Sequence, residues 1–226
     1  MLQPVACNDS NDVITREFKM KKNLIVHPLF ACIALFAIPL STAVAAEAPK
    51  AAESCVACHG TDGNNKEANI PNIASYSEEY MVGSLKKYQK KERPCVEVEY
   101  PSGSKKGSKS DMCKAAANLS ADDMNKIAAY FVEQSFQRTA QTTDPELVKK
   151  GKSVYKLKCY TCHSEDGSFP GDHAGILAGQ KMAYIKQQTK FFLEGKREMP
   201  KKMKPKLEAL DAGEVDAMVH YFGSIQ

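Results

Sequence analysis

The hydrophobic pattern divides the chain into two unlike parts. From Leu24 to Ala46 apolar residues run almost unbroken, interrupted only by His27, Pro28, Pro39 and the small polar pair Ser41-Thr42. Beyond that run they recur at approximately helical spacing: Tyr80, Val82, Leu85 and Tyr88 in one stretch, Met182, Ile185 and Phe192 in another. Asp144-Pro145-Glu146 has the cap and first-turn proline of a helix start, and predicts a helix through Val148, Val154 and Tyr155 into Cys159. Ser120-Ala121-Asp122-Asp123 opens a further helix with Ile127, Tyr130 and Phe131 on its apolar side. Asp211 and Glu214 repeat that opening before Val215, Met218, Tyr221 and Phe222. The stretch from Gln134 to Thr143 is polar and lacks period, so it reads as a linker laid across the surface. The pattern is strand-poor, and the expected class is all-α.

The early run reads as an export signal. Lys19, Lys21 and Lys22 precede it and the small residues Ser41-Thr42-Ala43-Val44-Ala45-Ala46 end it, which gives a basic start, an apolar centre and a cleavage site after Ala45 or Ala46. Residues 1–18 are polar and carry Asp9, Asp12 and Glu17, which places the true start at Met20. Residues 1–46 are therefore an upstream segment and cleaved signal, and the mature chain is expected in the periplasm. Two alternatives stand beside this reading. A retained membrane anchor has the length but is weakened by two prolines, and a lipoprotein site at Leu29-Phe30-Ala31-Cys32 leaves the apolar run continuing well past Cys32.

The rest of the chain is a duplicate. An offset of 104 carries Cys55, Cys58, His59 and Gly63 onto Cys159, Cys162, His163 and Gly167, and Tyr80, Tyr88 and Arg93 onto Tyr184, Phe192 and Arg197. Further on the offset becomes 91, pairing Met112 with Met203, Leu119 with Leu210, and Tyr130-Phe131 with Tyr221-Phe222. The first copy thus holds a net insertion of 13 residues between Arg93 and Met112, the difference between the two offsets. The copies are assigned to residues 47–138 and 139–226. Each is small enough to need covalent or cofactor help with its core.

Composition narrows the function by exclusion. A chain of 226 residues is too short for a large multidomain enzyme, and a thinly spread net charge of +4 gives no phosphate-tracking surface for nucleic acid. Eight cysteines could mean a disulfide scaffold. Sorted by context they do not: Cys7 and Cys32 leave with the signal, four sit in two Cys-x-x-Cys-His motifs, and Cys95 and Cys113 flank the insertion.

Cys-x-x-Cys-His places two thiols where they can add to the two vinyl groups of a haem while the adjacent imidazole reaches the iron. A structural zinc site would need a fourth ligand in each copy, and a thioredoxin-like dithiol would need an α/β setting. Two matches within an exported helical duplicate favour two covalently attached haem c groups. Met112 and Met203 occupy corresponding places, and a thioether from each would fill the sixth iron position and favour reduced iron. Met199, four residues before Met203, is the competing ligand in the second copy. Packing in the core accounts for Met81, Met124, Met182 and Met218. His173 and His220 have no repeat partner, and surface or packing roles account for them, with His173 the alternative sixth ligand in the second copy. In an oxidising compartment Cys95 and Cys113 would bridge a flexible, lysine-bearing loop and restrain the backbone at Met112.

Cys55-Val56-Ala57-Cys58-His59-Gly60, Met112 and Leu119-Ser120-Ala121-Asp122-Asp123, with the second set from Cys159 to Tyr221, resemble the dihaem class I cytochromes c that include cytochrome c4. With His173-Ala174-Gly175-Ile176-Leu177-Ala178-Gly179-Gln180, the segment from Arg197 to Met203, and the segment from Tyr130 to Ser135, the chain is most similar to the cytochrome subunits of flavocytochrome c sulfide dehydrogenases. The resemblance implies two tandem class I cytochrome c domains. It implies that Cys55, Cys58, His59 and Met112 hold one haem and Cys159, Cys162, His163 and Met203 the other, with His59, Met112, His163 and Met203 on the irons. It also implies a carbonyl at Pro71 for the His59 ring, which Gly175 replaces in the second copy, and propionate contacts for Arg93 and Arg197. The partner implied is an FAD-containing subunit that oxidises sulfide, with a small soluble cytochrome or a terminal oxidase as acceptor. The chain itself has no dinucleotide fingerprint and is not expected to be catalytic alone. A free carrier serving a terminal oxidase and a catalytic haem protein with an open sixth position are the competing readings.

Overall fold

The computed structural model describes residues 47–226; the apolar run, the cleavage site, Met20 and Cys7 and Cys32 lie outside them. The first copy contains α1 (Glu53–His59), α2 (Glu78–Gln89), a two-stranded antiparallel ladder of β1 (Val98–Glu99) and β2 (Lys109–Ser110), α3 (Met112–Ala116) and α4 (Ala121–Val132). The second contains α5 (Pro145–Lys158), the irregular turn α6 (Ser164–Gly167), α7 (Met182–Leu193), α8 (Lys204–Leu207) and α9 (Ala212–Ser224).

The helix ends follow their capping residues. Asp144 accepts from the Glu146 and Leu147 amides ahead of Pro145, and Ser77 accepts from the Tyr80 amide. Ser120 with Asp123, and Asp211 with Glu214, close reciprocal boxes at α4 and α9, so the duplicated sequence repeats its caps. Each copy then packs its capped terminal helix into its own core. Met81 and Leu85 of α2 meet Met124, Ile127, Ala128 and Phe131 of α4 in the first; Tyr155 of α5 and Ile185 of α7 meet Val219, Tyr221 and Phe222 of α9 in the second.

A repeated hydrogen-bond pattern shapes the turn after each Cys-x-x-Cys-His motif. The carbonyl of Gly63 accepts from the Ile73 and Ala74 amides at 2.8 and 3.3 Å, and that of Gly167 from Leu177 and Ala178 at 2.8 and 3.4 Å. The Ser75 amide then donates to Phe131 O, and the Gly179 amide to Phe222 O. Glycine is required at both turns. Gly63 and Gly167 have φ of +75° and +78°, and a Cβ at Gly63 would meet the Ala74 nitrogen at 2.8 Å and the Phe131 ring at 3.0 Å.

The linker is pinned rather than merely laid down. Asn72 Nδ2 donates to Gln137 O at 2.7 Å, the Thr139 amide to Gly179 O at 2.8 Å, and the Met182 amide to Gln141 Oε1 at 2.7 Å. Between the copies, Gln180 is fully buried. Its Oε1 accepts from the Asn72 amide and its Nε2 donates to Asn72 O and the Tyr76 hydroxyl.

The insertion departs from the flexible loop expected of it. Tyr100 is buried, its amide donates to Ser108 O and its carbonyl accepts from the Gly107 amide, so the segment closes as a hairpin. The alternation Glu97-Val98-Glu99-Tyr100 carries that signal, and it is short enough to be lost beside Gly103 and Gly107.

Replacing Gly63 by alanine should lower stability by about 1–3 kcal/mol, through left-handed strain and the contact with the Ala74 backbone. Denaturant unfolding of the variant reads it as a lower midpoint with an unchanged slope.

Candidate haem-binding sites

His59 ends α1 and is buried. Its Nδ1 is 2.9 Å from Pro71 O, so Nδ1 carries the proton and Nε2 is left with a free lone pair. Burial pulls the ring down to about 4; the Pro71 bond opposes this and the Lys181 ammonium adds to it, so the imidazole is neutral as a ligand must be. Cys55, Cys58, His59 and Met112 all line one cavity, whose other walls include Ile70, Leu85, Val98, Tyr100 and Ile127. Met112 opens α3, capped by Asp111.

In the second copy Cys159, Cys162, His163 and Met203 line one cavity together with Leu177, Ile185, Leu207 and Phe222. Met199 is not among its lining residues, whereas Met218 is, with its sulfur 3.6 Å from Cys159 Sγ. Met218 was expected in the core, and it serves both places because α9 lies against the cavity. Pro71 has no equivalent here, and the His163 ring makes no carbonyl bond of that kind among the described residues. A proline side chain has no room at this place: a Cβ at Gly175 would come within 2.8 Å of the Tyr80 hydroxyl, which enters from the first copy. His173 lines this cavity but turns its Nδ1 toward Ser77 Oγ at 3.4 Å and Glu79 at 3.5 Å. His220 Nδ1 accepts from the Asp144 amide.

The two arginines join the copies. Arg93 stacks over Tyr88 and Arg197 over Phe192, each at 4.3 Å from the ring centre. Each then reaches across: Arg93 Nη2 donates to the Tyr184 hydroxyl at 3.3 Å and Arg197 Nη2 to the Tyr80 hydroxyl at 3.4 Å. Both also donate to Gln188 Oε1. Burial pushes the Tyr80 hydroxyl up, but Arg197 and Arg93 outweigh it and bring it to about 8. Arg93 is only 3% exposed, has no carboxylate partner among the described residues, and its Nε has no hydrogen-bond partner. A buried guanidinium with an idle donor in a cavity wall can serve an acceptor bound in that cavity, an anion best of all.

These features fit haem. Each cavity offers two thiols, an imidazole, a thioether and apolar walls, and Arg93 offers an unspent donor for a propionate. They do not fit zinc. The one cluster of three His, Cys or carboxylate ligand atoms among the described residues is Cys95, Asp111 and Cys113, and Cys95 and Cys113 are bonded to each other as a disulfide.

Comparison with known proteins agrees. The family model described as cytochrome c matches residues 45–135, and that described as cytochrome c oxidase, cbb3-type, subunit III matches residues 146–222. Cytochrome c4 of Azotobacter vinelandii is 32% identical over 63% of this chain and 69% of its own. The chain belongs to the cytochrome c4 family. The structure of reduced recombinant cytochrome c4 from Pseudomonas stutzeri has a TM-score of 0.63 and 28% identity, covering 77% of this chain and 95% of its own. A thiosulfate dehydrogenase electron acceptor of Thiomonas intermedia is 27% identical over 67% of this chain and 68% of its own. As a cytochrome c4-like dihaem electron carrier, the chain has two cytochrome c domains and two covalently attached haem c groups.

Sequence reading missed Asn65, Asn72, Gln180, Lys181 and Gln188 around these sites. The repeat held one signal for them: Lys181 stands where the first copy has the helix-capping Ser77.

The Cys95–Cys113 bridge, with Cα atoms 5.5 Å apart, closes the hairpin next to Met112. The paired Cys95→Ser and Cys113→Ser variant should lose about 3 kcal/mol, the scale for a closed loop of this length. Denaturant unfolding of the oxidised protein and of the variant measures it.

Proposed function

We propose that Cys55 and Cys58 attach one haem and Cys159 and Cys162 the other, with His59 and Met112, and His163 and Met203, as the iron ligands. The observation that carries this is that each cavity is lined by both cysteines, the histidine and the methionine of its own copy. Bound haem supplies a one-electron couple, and methionine ligation favours its reduced state. The chain's own residues do the rest. Pro71 holds the His59 ring in one tautomer, the hairpin and its disulfide restrain Met112, and Arg93 and Arg197 offer donors to propionates where the copies meet. Residues 47–138 and 139–226 form the two electron-carrying units, and residues 1–46 direct export to the periplasm.

The electron donor we propose is a dehydrogenase acting on a reduced sulfur compound, specifically an FAD-containing subunit that oxidises sulfide. The resemblance at residues 173–180 and 197–203 supports the flavoprotein, and the Thiomonas relative's name supports a sulfur-compound donor. A free carrier delivering electrons to a terminal oxidase is the second reading, favoured by the cytochrome c4 relatives and by the oxidase-subunit model over the second copy. Native purification separates them: flavin co-eluting with two covalent haems per chain supports the first, and a flavin-free cytochrome the second.

Met112→Ala and Met203→Ala should each remove the red-edge methionine-to-iron absorption of one haem and leave the other's intact. Loss of neither band, or of both in a single variant, contradicts the ligand assignment. Optical spectra of the ferric proteins decide it.

A further inference from the structure

Lys181 belongs to the second copy but ends inside the first. It is 1% exposed, and its Nζ donates to Ile70 O at 2.7 Å and to Asn65 Oδ1. Asn65 Nδ2 in turn donates to Ile70 O at 3.1 Å and Pro71 O at 3.2 Å. Pro71 O is the acceptor for His59 Nδ1. A buried ammonium is therefore linked through one amide to the carbonyl that orients the first copy's histidine. No carboxylate lies within 4.0 Å of it among the described residues.

The position carries two structural costs. Its counterpart Ser77 caps α2 by accepting from the Tyr80 amide, whereas Lys181 provides no side-chain cap to α7. Burying a charge without a close ion-pair partner adds a further penalty, which the charge of the exposed Glu67 offsets only in part. The second copy's histidine has the opposite surroundings. The Asp172 carboxylate accepts from the amide and hydroxyl of Ser164, the residue after His163. The first copy's histidine loop thus faces a cation and the second's an anion.

We propose that Lys181 sets the reduction potential of the first haem: its ammonium, held against the Ile70–Pro71 loop, favours the ferrous over the ferric state by charge repulsion. This rests on the reading that His59 ligates the first iron. Ferric haem carries one more positive charge than ferrous haem, so a nearby fixed cation raises the potential, and more so away from water. Burial brings the Lys181 ammonium down only to about 8, so it is mostly charged at neutral pH. The control lies on the other side of the copy boundary, and the first haem's potential then depends on how the second copy is docked.

The test is potentiometric titration of the holoprotein and of Lys181→Met and Lys181→Gln variants, with the first-haem wave assigned by its displacement in Met112→Ala. The equilibrium constant for reducing the first haem should fall about tenfold in both, 59 mV for one electron, with the second haem unmoved. Glutamine keeps a donor for Ile70 O without the charge, so it reports even where methionine prevents folding. An unchanged first-haem potential, or an equal shift of both haems, overturns the proposal, as does a lower thermal midpoint without a change in potential. The ligand reading fails separately, by a His59→Ala variant that retains a low-spin first haem.

Discussion

A neutral imidazole held by one carbonyl is the constraint on which the first site depends. For His59 to face a metal it must be fixed in one tautomer and left with Nε2 free, and the bond from Nδ1 to Pro71 O meets both conditions within a buried site. That bond needs the Pro71 loop to return to the end of α1. The return is made by Gly63, whose carbonyl collects two amides from residues 73 and 74, and by Phe131, whose carbonyl collects a third. The terminal helix, its capping box and the glycine turn are thus parts of one device for presenting a histidine.

The second site uses the same turn but a different support. Gly167 and Phe222 repeat the carbonyl pattern, yet Gly175 stands where proline would, and the space goes to Tyr80 from the other copy. The exchange is reciprocal in kind. Tyr80 meets Arg197, Tyr184 meets Arg93, and Gln180 brackets Asn72. The copies share a polar surface here whose atoms, Arg93 Nε excepted, find partners across the boundary.

Most of this architecture was legible in the sequence, for reasons that differ by element. Helix starts could be read because capping is local: Asp144-Pro145, and the boxes at Ser120 and Asp211, depend on residues three apart. Candidate ligand sets could be named because the duplication supplied an internal control, placing Met112 and Met203 in register, and each methionine lines the cavity of its own copy. The hairpin was missed because a two-residue ladder has too little alternation to register. The partners of Gln180 and Lys181 were not legible because they lie more than 100 positions away, and nothing local distinguishes a lysine in water from one against Ile70 O. Where local chemistry breaks the repeat, as Lys181 does at the place of Ser77, the sequence points to such a residue without naming its partner.

Gln188 has one side-chain oxygen and two guanidiniums, one from each copy, directed at it. Its counterpart in the first copy is Ser84, too short for that task. A duplicated protein has here acquired a contact that belongs to neither copy. Removing either arginine changes the hydrogen bonding available to the other, so their energies cannot be assigned separately and their double substitution will not equal the sum of the single ones. The two copies are in this way one energetic unit at Gln188: a change in one arginine is felt through the other.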